Sequence, residues 1–202
     1  MRYPLLEIEI RLFDKNKKTI KYYPKRESHS WTANHWKFIF GHCSGYPLTS
    51  ADSLSLTDTG NTERAQVATS YTAYLDQVTN VKSAVNDDTQ GILVGTGATA
   101  ESTSDYAMDT IINDGSAAGE LVYSAMSTVG FSGDKKTTQT RYFTNESGGS
   151  IVVAEVGLVY AITYSAGTLY DILMARDVLS STITVADTEV LKVEYTVTVT
   201  FP

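Results

Sequence analysis

A chain of 202 residues, 42% hydrophobic and 19% charged, can bury roughly 70% of its unfolded surface without disulfides or metals. One cysteine, Cys43, excludes an intramolecular disulfide framework and leaves the redox compartment open. The net charge of −7 is unevenly spread: residues 1–43 hold nine Lys and Arg against four Asp and Glu, a surplus of +5, and the rest carries −12. That split argues against nucleic acid as a partner of the body and makes the basic segment a candidate for contact with an acidic surface.

Thirteen tyrosines in a Thr-, Ser- and Val-rich chain favour strands over helices. The start, Met1-Arg2-Tyr3-Pro4, runs into alternating charged and apolar residues, which fits neither a signal peptide nor a membrane span and predicts synthesis in the cytoplasm. Residues 5–13 place Leu6, Ile8, Ile10 and Leu12 on one face and Glu7, Glu9 and Arg11 on the other, the period of a strand with one wet side. Asp14-Lys15-Asn16-Lys17 reads as a turn, Thr19 to Tyr23 as the returning strand, and Pro24 as its end or edge. Residues 31–40, with Trp31, Trp36, Phe38 and Phe40, read as a further strand.

Residues 44–104 mix Ser, Thr, Asp, Asn and Gly with short apolar stretches at 65–75 and 91–94. Ser102-Thr103-Ser104 offers N-caps and Asn113-Asp114-Gly115 a stop, so residues 105–112 are predicted to form the one short helix. Strands follow at 120–129, 137–144, 151–163, 168–175 and 191–201, the last alternating Val193, Tyr195, Val197, Val199 and Phe201 with polar residues. Such spacing predicts an all-β, antiparallel β-sandwich, jelly-roll or immunoglobulin-like. The division read from charge is a basic, aromatic N-terminal hairpin at 1–43, extending from a sandwich body at 44–202.

Chemistry is sparse. His29, His35, His42 and Cys43 fall within fifteen residues, but their spacings of six and seven do not match the paired two-to-four-residue spacing of zinc sites, so no metal is expected. Gly91, Gly95 and Gly97 invite comparison with a phosphate loop, yet no Gly-Lys-Ser/Thr follows; a turn needing positive φ is the simpler reading. Asn145-Glu146-Ser147 fits the glycosylation pattern and, without a secretory signal, reads as turn residues. Carboxylates are plentiful at turns, where Asp bonds its own backbone. Glu155 instead interrupts an apolar strand and Arg176-Asp177 ends another, so Arg141, Glu155, Arg176 and Asp177 are candidates for buried structural ion pairs. No catalytic residue and no cofactor is predicted.

Gly91 to Gly97, Ser104 to Met108, Arg141-Tyr142-Phe143-Thr144-Asn145, Glu155 to Leu158 and Leu173 to Leu179, ahead of a Val- and Thr-rich last strand, together resemble the small virion structural proteins of tailed bacteriophages, also called tail or minor structural proteins. The resemblance covers residues 90–202. It implies a β-rich, non-enzymatic subunit of an assembled particle, in tail, neck or capsid surface, whose partners are other virion proteins and its own copies, with no membrane. The expected interface is the basic segment, through Trp31, Trp36, Phe40, Lys17, Lys18, Lys25 and Arg26, and deleting residues 1–43 is expected to leave a folded body. The alternative is a carbohydrate- or host-surface-binding module of a phage fibre, its exposed Trp and Tyr stacking on host glycan.

Overall fold

The structure, a computed structural model, describes residues 5–28, 30–43, 55–64, 83–129, 136–164 and 168–198, without the side chains of residues 40–43, 128, 129, 163 and 164. Two antiparallel sheets dominate it. The larger joins β1 (Leu5–Phe13), β2 (Thr19–Glu27), β6 (Val122–Tyr123), β7 (Ser127–Val129), β8 (Lys136–Thr144) and β11 (Val190–Thr198) in the order β2-β1-β11-β8-β6, with β7 also on β8. The smaller has the order β10-β9-β5, from β5 (Gly91–Gly95), β9 (Ile151–Tyr164) and β10 (Thr168–Val185). A two-residue pair, β3 (Leu56–Thr57) with β4 (Glu63–Arg64), and one helix, α1 (Ala33–Cys43), complete the described elements.

Both sheets feed a single apolar core. Leu6, Ile8, Ile10 and Leu12 of β1 meet Tyr195 and Phe143 from the larger sheet and Ile92, Val94, Val156 and Ile172 from the smaller. β1 lies between β2 and β11 and pairs with β11 over nine positions, from Leu5↔Thr198 to Phe13↔Val190. The N-terminal hairpin is therefore part of the body's own sheet and not a separable arm. Removing residues 1–43 would uncover the edge of β11 and the part of the core that β1 covers.

The helix lies at residues 33–43, where aromatic alternation predicts a strand, and residues 105–112 are not helical. Trp36, Ile39 and Phe40 keep helical spacing while Trp36, Phe38 and Phe40 keep a strand's period of two, and docking decides between them. Thr32 Oγ1 donates to Leu173 O and Met174 O at 2.8 and 3.1 Å, and the Asn34 amide exchanges two hydrogen bonds with the Thr57 backbone. At 105–112 the amides that a helix would use go elsewhere: Asp109 and Thr110 N–H donate to Glu155, and Ile112 N–H to Val94 O. The predicted strand at 120–129 is broken into β6 and β7, with Met126 N–H given to Ser83 O.

β2 continues through Pro24, because a bulge sits there: Ile8 pairs with Arg26 and Ile10 with Tyr23, leaving Pro24 and Lys25 opposite Glu9 alone. β10 runs on past the predicted end to Val185, with residues 172–177 buried consecutively. That stretch contributes to the core, and residues 30–32 run along its open edge, with Thr32 N–H donating to Met174 O and Arg176 N–H to Ser30 O. Asn145 is buried, its side-chain amide donating to Gly149 O and Val185 O, as a turn residue rather than an exposed acceptor. The apolar stretch at 65–75 and Phe201 lie outside the described residues. Among the described residues no helix is long and apolar enough to cross a membrane.

Candidate functional site

Arg141, on β8, has none of its surface exposed. Its guanidinium donates to five main-chain oxygens, those of Ser124, Gln90, Ile92, Ala84 and Asp87, at 2.5–3.1 Å. The Tyr123 ring lies 4.7 Å from its central carbon, and Tyr123 in turn meets Phe143 edge to face at 4.8 Å and donates to Ile112 O. Every guanidinium donor is used, so residues 84–92 are tied to β8 through one side chain. Burial lowers the Arg141 pKa, with partial relief from Tyr123 and nearby carboxylates. Its partners are carbonyl dipoles, not the carboxylate that an ion pair would supply.

Glu155 and Arg176 do form the buried pair. Arg176 Nε donates to Glu155 Oε2 at 2.7 Å, Nη1 to Asp105 Oδ2 at 2.8 Å and Nη2 to Thr99 O at 3.0 Å. Glu155 also accepts from the amides of Gly97, Asp109 and Thr110 at 3.2, 3.3 and 2.8 Å. Residues 97–110 are thus folded onto β9 and β10 around one carboxylate. This explains two of the glycines. A Cβ on Gly95 would collide with Thr110 O and Glu155, and one on Gly97 with Asp109 and Glu155. Only Gly91 of the three has positive φ, so the run shapes a carboxylate cradle and not a series of left-handed turns.

Asp177 is buried, and its Oδ2 accepts from Ser28 Oγ and Tyr195 OH, both at 2.8 Å. Burial raises its pKa against the opposing effect of those hydrogen bonds and of Arg26. Ser28 and Tyr195 had no signal in the sequence beyond their residue type, since they join Asp177 across 149 and 18 positions.

The predicted interface residues are not gathered on one surface. Lys17, Lys18, Lys25 and Arg26 are exposed on β2 and its turn, with Lys25 paired to Glu7. Trp31 is only 9% exposed, stacked on His35 at 3.5 Å, and His35 meets Trp36 edge to face at 5.3 Å. Burial pushes the His35 imidazole down to about 4. Trp31 is therefore no platform for a sugar ring, Trp36 packs half-buried against the core, and the Phe40 side chain lies outside the described residues. The exposed apolar residues beside the cations are instead Ile20 and Tyr22, at 47% and 50%, hidden in the sequence by an unremarkable Lys-rich strand.

Among the described residues no three His, Cys, Asp or Glu side chains gather as metal ligands, and His29 and the side chains of His42 and Cys43 fall outside that set. Neither family models, curated proteins nor solved structures give a match to this chain.

Proposed function

We propose that the protein is a non-enzymatic, multi-copy structural component of a bacteriophage virion, in the tail, neck or capsid surface, and that its two sheets pack as a β-sandwich. The observation that carries this reading is β2. Eight of its nine residues are exposed, it is the end strand of its sheet, and it and its turn are basic in a chain of net charge −7. An exposed edge is a standing invitation to another chain, and a charge opposite to that of the rest of the molecule selects an acidic partner. The buried charged groups support a scaffold role, because Arg141, Glu155, Arg176 and Asp177 spend their hydrogen bonds holding this chain's own loops. The order of sequence motifs over residues 90–202 supports a virion setting.

The test is composition and location. Purified phage particles should contain the chain at a fixed copy number, and a cryo-EM map should place its two sheets in the particle wall or tail. Recovery of the chain wholly in the unassembled fraction of the lysate overturns the reading.

A further inference from the structure

The surface of β2 has a counterpart on the same molecule. Ile20, left over at the register shift between Leu12↔Lys21 and Phe13↔Thr19, and Tyr22, paired with Arg11, are both exposed on this strand. Lys17 and Lys18 lead into them from the turn and are exposed, while Arg26 pairs with Ile8, on the other face from Tyr22, and acts on Asp177. Lys25 and Arg11 are engaged by Glu7 and Glu9.

At the β5 side of the smaller sheet lies a groove of about 470 Å³ with an apolar floor that includes Leu93 and Val159. Ile111 lines it and is 38% exposed. Three carboxylates, Asp88, Asp109 and Asp171, line it too. No cation of the described residues is among its lining groups. Burial and the nearby carboxylates of Asp87 and Asp58 raise the pKa of Asp171, so an arriving cation would relieve a crowding of negative charge.

One surface is thus an exposed edge strand led by two lysines and carrying two exposed apolar side chains, and the other an apolar groove flanked by carboxylates. We propose that they are the two halves of a head-to-tail contact between copies of this chain, with β2 of one copy seated in the Asp88–Asp109–Asp171 groove of the next. The inference rests on the multi-copy reading above and names the partner surface. Because the two halves are different patches on different sheets, the contact is heterologous. Repetition gives a ring where the rotation closes and a filament where it does not. A lysine-bearing edge strand with a proline bulge also discourages pairing between identical edges, which removes the symmetric β2-to-β2 dimer as a competitor.

Charge exchange tests this on the purified full chain, followed by sedimentation velocity at low and high salt. The wild type should self-associate with concentration and dissociate as salt screens the contact. An edge variant, Lys17→Glu with Lys18→Glu, and a groove variant, Asp109→Lys with Ile111→Lys, should each associate roughly tenfold more weakly or worse. Mixing the two should restore association, since each then presents a complement to the other. Circular dichroism melts identify any variant that has lost its fold. If a groove variant does so, Ile111→Lys alone takes its place.

A wild type that is monomeric throughout, association indifferent to either variant, or loss at the edge variant that mixing does not restore would each overturn the proposal. Particle composition is measured separately, so a chain absent from virions that still shows the charge-exchange rescue would remove the virion reading and leave this contact standing.

Discussion

Two arginines are buried among the described residues, and the chain treats them differently. Arg141, under the larger sheet, sits among five carbonyl oxygens. Arg176, on the smaller sheet, meets two carboxylates and one carbonyl. Burial works against the charge in both. At Arg141 burial prevails and the pKa falls, whereas at Arg176 the hydrogen bonds and charges of Glu155 and Asp105 outweigh it and the pKa rises. A guanidinium can therefore be kept inside without a bonded carboxylate if every donor is used, but its loss then orphans neutral acceptors. Losing Arg176 orphans a charge instead, although one that three backbone amides still hold.

The largest expected effect follows from that contrast. Arg141→Met should cost about 5 kcal/mol or more, because five carbonyls lose their donor at ~1–3 kcal/mol for each group left buried and unpaired. Urea unfolding of the variant checks it, and Arg141→Lys, with three donors, should recover part of the loss. Arg176→Met should cost about 3–4 kcal/mol, the usual range for breaking a buried pair. In the double variant Arg176→Met with Glu155→Gln the loss should be well below the sum, since the second change removes the charge stranded by the first. Additive losses would mean that Glu155 is held by its amides and not by Arg176. An Arg141→Met variant more stable than Arg176→Met would reverse the ranking of dipoles and charges.

How much of this could be read in advance depends on how local each feature is. β1 and β11 alternate cleanly, and the structure buries Leu6, Ile8, Ile10, Leu12, Val193 and Tyr195 as that alternation predicts. Glu155 was conspicuous as a charge in an apolar strand, and Arg176 is its partner. What no local pattern could give is the set of amides that Glu155 gathers from 45 to 58 residues away, which is also what stops residues 105–112 from forming a helix. The end of β10 is hidden for a related reason: six consecutive buried residues, 172–177, show no period of two. The aromatic run at 31–40 fits two periods, and only the distant contacts of Thr32 and Asn34 choose between them.

A smaller change probes the carboxylate side of the comparison without touching a charge. Gly97→Ala places a Cβ against Asp109 and the Glu155 carboxylate, and the overpacking should cost about 1–3 kcal/mol. Hydrogen exchange should accelerate at the amides of Asp109 and Thr110, which bond Glu155, and stay unchanged at residues 84–92, which Arg141 holds. Acceleration in both places would join the two arginine sites into one cooperative unit.

The smallest effect concerns pH, and it falls outside both arginine sites. Guanidinium groups keep their protons throughout the physiological range, so the pH dependence falls to His35, lowered by burial, and to Asp171 and Asp177, raised by burial. His35 is lowered to about 4 from an ordinary 6.5 by burial. The unfolded chain then takes up a proton that the folded chain refuses, and stability falls as pH drops from about 6.5. Asp177 is raised from an ordinary 3.8 by burial, so the folded chain takes its proton first and stability rises as pH falls through that raised value. The histidine and carboxylate slopes oppose, so the net loss on going from pH 7 to 4.5 should be smaller than His35 alone would give. His35→Phe should abolish the loss in melts run across that range, and Asp177→Asn, which can still accept from Ser28 and Tyr195, should deepen it. An unaltered profile in His35→Phe would place the proton uptake on another group.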